Sequence, residues 1–215
     1  MNCIVTAGPT YEPLDAVRRL TNFSTGKLGV ELANYLTEKG HEVTLFDSEQ
    51  ATYSGERRAT HLRLFNTTAS LQAGLAELSG EPVDAVLHAA AVSDFAFGTV
   101  WQRTVTGELA ALRAGKISSR AEGLLVELVP TPKIIGQLRG WFPHARLVGW
   151  KYEVDGGREE VLRAARHQLA EADSDWCVAN GPAYGPGFGL VSPQGERTVA
   201  DAHALYVELE RLIHH

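Results

Sequence analysis

Cysteine is nearly absent: Cys3 and Cys177 are the two in 215 residues. With no Cys-x-x-Cys pair and no histidine pattern beside them, both read as small core residues in buried strands, not as metal ligands or a catalytic thiol. No run of basic residues exceeds a pair such as Arg57-Arg58, and the net charge is −6, so nucleic acid is a poor candidate partner. No apolar run approaches the length of a membrane span, and the N-terminus lacks a charged-then-apolar leader. The expectation is a cytoplasmic protein with no membrane partner. The eight histidines are scattered without metal-ligand spacing, and His214-His215 are given no role. There is no Ser-His-Asp set, zinc cluster or glycosidase pair, and no repeat, low-complexity tract or linker. What remains is 44% hydrophobic and 21% charged, the balance of an ordinary globular chain forming a single domain over 1–215.

The stretch from Gly8 to Val30 organises the chain. It follows an apolar strand, Asn2–Ala7, and leads into a helix over Leu28–Lys39, where Leu28, Leu32, Tyr35 and Leu36 recur at helical spacing. A glycine-containing loop that opens a helix is an anion site, because free backbone N–H groups and the helix dipole both favour phosphate. Gly8 and Gly26 permit close approach, Ser24 and Thr25 offer hydroxyls, and Lys27 offers charge. This is not a P-loop, since Leu28 follows Gly26-Lys27 and Thr21 stands where the first glycine belongs. Nor is it the three-glycine dinucleotide turn, since Gly8 and Gly26 are eighteen positions apart.

Further along, strands are predicted at His41–Phe46, His61–Phe65, Val83–Ala90, Leu124–Val129, Arg146–Trp150 and Trp176–Ala179. Helices are predicted at Thr67–Leu78, Pro132–Leu138 and Gly157–Ala172. Leu190–Ser192 and Arg197–Val199 read as a hairpin, and Asp201 as the cap of a last helix running to Ile213. The alternation indicates an α/β fold, a Rossmann-like doubly wound and mostly parallel sheet with a C-terminal hairpin. Ligands in such sheets sit beyond the carboxyl ends of the strands, which aligns the Gly8 loop, Asp47 and Ala91–Phe95 along one edge. Residues 95–119 show no sustained period and read as a long mobile excursion carrying Lys116.

Asp94 ends an apolar strand, where a carboxylate holds ribose hydroxyls or a magnesium ion. Lys116, on a loop, suits closure over a reacting carboxylate or phosphate. Asn22 is a neutral donor for a carbonyl or oxyanion. Arg18 is a fork for phosphate or carboxylate, and Arg19 is equally available.

Six segments then coincide with one family. They are Asp15-Ala16-Val17-Arg18 through Thr21-Asn22-Phe23-Ser24-Thr25-Gly26-Lys27, Ala90 to Phe95, Lys116-Ile117-Ser118-Ser119, Thr131 to Ile135, Val148-Gly149-Trp150, and Asp175 with Val178-Ala179-Asn180. In order and over about residues 2–200, they resemble phosphopantothenoylcysteine synthetases of coenzyme A biosynthesis. The resemblance implies a Rossmann-like homodimer that joins 4′-phosphopantothenate to L-cysteine. CTP or ATP, with Mg²⁺, activates the carboxylate as an acyl-nucleotidylate, and cysteine's amine then attacks. It implies that Asn22 holds the acyl phosphate with Arg18 close by, and that Lys116 is the lid lysine. It further implies that His88, Ala89, Ala90 and Asp94 contact the nucleotide. Pro132, Lys133, Ile134, Ile135 and Trp150 would line the base pocket.

The chain departs from the family in places. Two lysines that bind the triphosphate in many bacterial members fall at Gln168 and Ala172, with Arg163, Arg166 or His167 as candidate substitutes on the same helix. Trp150 replaces the usual phenylalanine. Bifunctional bacterial members carry an N-terminal flavin-dependent decarboxylase domain, whereas this chain begins at the synthetase strand, so no flavin is expected. Two other readings are an NAD(P)-dependent or nucleotide-sugar reductase and a non-catalytic nucleotide-binding regulator. The first lacks its Tyr-x-x-x-Lys pair and three-glycine turn. The second would bind nucleotide without releasing pyrophosphate.

Overall fold

A computed structural model describes residues 1–112, 115–118 and 123–214. Among these, eight strands form the central sheet. They are β1 (Asn2–Ala7), β4 (Glu42–Ser48), β5 (His61–Phe65), β6 (Ala85–His88), β10 (Arg146–Tyr152), β11 (Trp176–Asn180), β12 (Phe188–Ser192) and β13 (Gly195–Val199). The order is β13-β12-β11-β10-β6-β1-β4-β5. From β11 to β5 every pairing is parallel, while β12 and β13 add on antiparallel as the expected hairpin.

Strand alternation splits the core into two layers. Val5, Leu45, Leu87, Val148, Val178 and Leu190 face α1 (Lys27–Glu38) and α5 (Ala202–Ile213). On the other face, Ile4, Phe46, Val86 and Leu147 pack under α2 (Thr68–Ala76) and α3 (Leu138–Trp141). Cys177, Ala179 and Val191 pack under α4 (Arg158–Ala172). Both cysteines are core residues, as expected, and burial pushes each thiol up to about 12. Local chemistry sets the helix starts. Thr67 and Ser70 form a capping box on α2, and the Asp201 carboxylate accepts from the Ala204 amide on α5.

Two features differ from the sequence reading. The Gly8 loop contains a small hairpin, β2 (Tyr11–Pro13) with β3 (Arg19–Thr21), too short to leave a periodic signal. The excursion over 95–119 instead supplies β7 (Phe95–Arg103) and β8 (Leu109–Leu112), which join the strand expected from Leu124, β9 (Leu124–Pro130), in a second, three-stranded sheet. Its alternation is masked because most of its residues are exposed on both faces, so no apolar period develops. Ser119, the last residue of the Lys-Ile-Ser-Ser segment, and His215 lie outside the described residues. Pro132–Leu138 is a short 3-10 turn, Ile134–Gln137, that runs into α3.

Candidate active site

Strand order reverses beside β1: the chain leaves β1 for β4 and β5 on one side, then returns through α2 to β6 on the other. The carboxyl ends of β1 and β6 therefore flank a crevice, the place where open α/β sheets bind ligands. Gly8 leaves β1 there, and Gly26 opens α1 there. Far apart in sequence, they touch in space: a methyl group on Gly26 would meet Gly8 Cα at 3.4 Å. Both have left-handed backbones, with φ of 85° and 81°. The inserted hairpin thus loops out of an otherwise tight strand–turn–helix. Ser24 Oγ and Thr25 Oγ1 sit 3.4 and 3.3 Å from the Gly26 and Lys27 amides. Lys27 is exposed in the first turn, with Glu31 Oε1 at 3.8 Å.

On the β6 side, Thr6 Oγ1 accepts the Ala90 amide at 3.0 Å and lies 2.9 Å from His88 Nδ1. The Thr6 hydroxyl thus bridges the Ala90 amide and the His88 ring. Burial lowers the His88 pKa to about 4, so the imidazole is neutral. Ala89 follows, half-buried. Ala91 joins the two loops: its amide donates to Gly8 O at 2.9 Å, and its carbonyl accepts from Thr10 N at 3.1 Å. The same carbonyl accepts from Asn22 Nδ2 at 3.0 Å. One N–H of the Asn22 amide is used in that bond, and a second remains. Asp94, next along, is exposed and ion-paired with Lys133.

Arg18 and Lys116 are linked through a clasp. Asp15 Oδ2 accepts from Arg18 Nη1 at 2.7 Å and from the Ile117 amide at 3.0 Å, while Arg18 Nη1 also donates to Ile117 O at 3.0 Å. Ala16 N donates to Gly115 O at 2.9 Å, and Ile117 is buried. Lys116 itself is exposed. The segment carrying Lys116 is therefore seated on the same loop that carries Asn22. Arg19 instead lies over the Tyr11 ring, 4.8 Å from its centroid, which separates the two arginines that sequence leaves equivalent.

The remaining residues are not all brought together. A methyl on Gly149 would meet Ile135 Cδ1 at 2.3 Å, so Gly149 faces Ile135, and Trp150, one position on, faces the opposite side of the sheet. Its indole packs on the α1 and α5 layer, whereas Ile134 is core in the other layer. Pro132 is exposed beside Lys133. Trp150 Nε1 and, on the neighbouring strand end, Asn180 Oδ1 are buried without partners among the described residues. Asn180, to which the sequence reading assigns no role, thus offers an acceptor on the same sheet face as the Trp150 donor. Asp47 is buried and holds Arg57 at 2.8 Å through one oxygen, anchoring the loop over 49–60, while its other oxygen is buried without a partner among the described residues. Gln168 donates to Trp150 O at 3.2 Å, and Ala172 is buried in the α4 layer. Of the candidate substitutes for the lysine pair, Arg166 pairs with Glu196 and His167 with Glu171.

A family model, the DNA/pantothenate metabolism flavoprotein C-terminal domain, matches residues 1–212. The chain is 37% identical over 177 residues to the coenzyme A biosynthesis bifunctional protein CoaBC of Thermococcus kodakarensis, covering 82% of this chain and 40% of that protein. It is 30% identical over 187 residues to CoaBC of Bacillus subtilis, covering 86% and 42%. The chain thus spans about two fifths of the length of the curated relatives it matches. The crystal structure of the DNA/pantothenate metabolism flavoprotein from Streptococcus pneumoniae superposes with a TM-score of 0.86 at 27% identity, covering 100% of this chain and 98% of that one. A Cab2 mutant in complex with phosphopantothenate-cysteine has the same fold, with a TM-score of 0.71 at 18% identity, covering 99% and 87%.

Proposed function

The chain belongs to the family of DNA/pantothenate metabolism flavoprotein C-terminal domains, and from that membership we propose that it is a phosphopantothenate–cysteine ligase of coenzyme A biosynthesis. In this reading CTP or ATP transfers its nucleotidyl group to the carboxylate of 4′-phosphopantothenate, releasing pyrophosphate. The amine of L-cysteine then displaces the nucleoside monophosphate. The amide so formed is phosphopantothenate-cysteine, the compound carried by Cab2 in its complex.

The reading rests above all on the convergence at the β1/β6 crevice: the Gly8–Gly26 cradle, Asn22 fixed on Ala91, and the clasped segment with Lys116. Activation joins two anions, so it needs fixed donors and cations. The cradle amides and Lys27 suit the phosphates. One Asn22 N–H orients the amide, and the other holds the acyl phosphate oxygen. Lys116 offsets charge on the leaving pyrophosphate, and Arg18 positions it through the clasp. Neutral His88 and the Ala89–Ala90 backbone meet the nucleotide without adding charge.

For Mg²⁺, commonly held by one or two carboxylates plus substrate phosphates and water, Asp94 is the candidate carboxylate once released from its ion pair with Lys133. Bound there, it would neutralise triphosphate charge. Leu124 and Leu128, exposed on one face of the three-stranded sheet, are the surface on which a homodimer would form.

The test is pyrophosphate release with 4′-phosphopantothenate, L-cysteine and Mg²⁺, with CTP and ATP compared. Release that needs phosphopantothenate and yields the amide only with cysteine supports the ligase and identifies its nucleotide. Silence with both nucleotides from folded protein would overturn it in favour of a nucleotide-binding regulator.

A further inference from the structure

At the end of the sheet remote from the crevice, three side chains converge that the ligase reaction does not use. His41 precedes β4 at its amino end, while Glu210 and His214 sit one turn apart at the C-terminal end of α5. His41 Nε2 lies 3.5 Å from Glu210 Oε1, and His214 Nε2 lies 3.1 Å from the same oxygen. All three donor atoms fall within 4.8 Å of one another, and the two imidazole centroids are 5.3 Å apart.

The decisive observation is His41 itself. It is 7% exposed, and its Nε2 is buried with no hydrogen-bond partner among the described residues. At 3.5 Å the carboxylate is too distant for a good N–H···O bond, and a buried polar nitrogen left without a partner is costly. The spacing instead suits a shared cation. Zinc bonds of about 2.0–2.2 Å in a tetrahedron put ligand atoms about 3.3–3.6 Å apart. Two imidazoles and one carboxylate are a known zinc donor set that leaves one position for water. The carboxyl end of α5 adds its negative dipole to the charge of Glu210.

We propose that His41, Glu210 and His214 bind one divalent transition-metal ion of the zinc type, stapling the end of α5 to the turn between α1 and β4. The site lies at the amino end of β4, whereas the phosphate cradle lies at the carboxyl end of its parallel neighbour β1. Its role is structural, holding the last helix onto the α1 layer.

The test uses the full chain, stripped with chelator and titrated with Zn²⁺ by calorimetry, with Co²⁺ as a spectroscopic probe. One ion per chain is expected, with a melting temperature raised by several degrees on loading, and with the visible absorption of tetrahedral Co²⁺. Glu210→Gln and His214→Ala should each weaken binding at least tenfold, whereas His215→Ala should retain it. His41→Gln should abolish the Co²⁺ spectrum. Should that variant fail to fold, the partly exposed Glu210→Gln still decides. Absence of saturable binding overturns the proposal. So does binding that is unchanged in Glu210→Gln, or lost in His215→Ala alone, since either would mark the terminal histidines acting by themselves.

Discussion

Asp15 and Ile117 stand 102 positions apart in sequence, yet a single carboxylate oxygen of Asp15 accepts the Ile117 amide hydrogen at 3.0 Å. That bond, with the Arg18 guanidinium on the same oxygen, couples the loop that presents Asn22 to the segment that presents Lys116. The geometry makes Asp15 a positioning residue and Arg18 part of its clasp.

The clasp has a defined pH range. Backbone N–H groups, that of Ile117 first, hold the Asp15 pKa below its ordinary value of 3.8. A carboxylate with a lowered folded-state pKa contributes fully above the ordinary value, and its contribution is lost only as pH falls through the lowered one. The Ile117 amide resonance should therefore hold its shift from pH 8 to about 5 and move only in stronger acid. In Asp15→Asn it should be displaced at every pH. A shift that titrates near neutrality would contradict the clasp.

Lys116→Ala should reduce pyrophosphate release by about 10²–10³-fold, the range for removing one preorganised electrostatic contact to a transition state. Because Lys116 is exposed, its melting temperature should stay within a degree or so of the parent's. Equal loss of activity and stability would assign it a packing role.

Gly8 and Gly26 should resist replacement even without ligand. Each has a left-handed backbone, and an added methyl on Gly8 would lie 2.7 Å from Ser48 Cβ, on Gly26 3.0 Å from Ala51 Cβ. Left-handed backbone costs a non-glycine residue about 1–2 kcal/mol before any clash is counted. Gly8→Ala should thus lower the urea midpoint more than Gly26→Ala, and both should weaken nucleotide binding. A stable Gly8→Ala protein with unaltered nucleotide affinity would remove the cradle from the site.

His88 should make the fold acid-sensitive. Its folded pKa of about 4 lies below the ordinary value of 6.5, so the unfolded chain binds the extra proton first. Stability is constant above about pH 6.5 and falls as pH drops towards 4, by about 3 kcal/mol in all. Urea unfolding of the parent between pH 7 and 4.5 should show this slope, and His88→Asn should flatten it.

Much of this was legible in the sequence because the signals are local. The strands β1 and β5, the capped α5 and the terminal hairpin over Leu190–Ser192 and Arg197–Val199 follow from local patterning and from Asp201 as the α5 cap. Of the three-stranded sheet only β9 was legible; β7 and β8 were not, because a thin sheet whose residues stay largely exposed writes no hydrophobic period. Sequence singles out Gly8, Gly26, Asn22 and Lys116, but their mutual arrangement depends on Asp15, which stands in the first family segment without a role assigned to it. The split between Ile135 and Trp150 depends on strand parity at Gly149, which motif matching does not register. The cluster at His41 escaped for the plainest reason: its partners are supplied by a helix near the other end of the chain.

The depth of Cys3 and Cys177 bears on the proposed ligase reading, in which one substrate carries a free thiol. A thiol with a pKa of about 12 is ionised in only about 1 part in 10⁵ at pH 7, and mixed-disulfide exchange proceeds through the thiolate. Closed inside the sheet layers, both sulfurs are inert towards cystine and oxidised cysteine. In the ligase proposed above, that inertness would keep the protein from being capped by its own L-cysteine substrate.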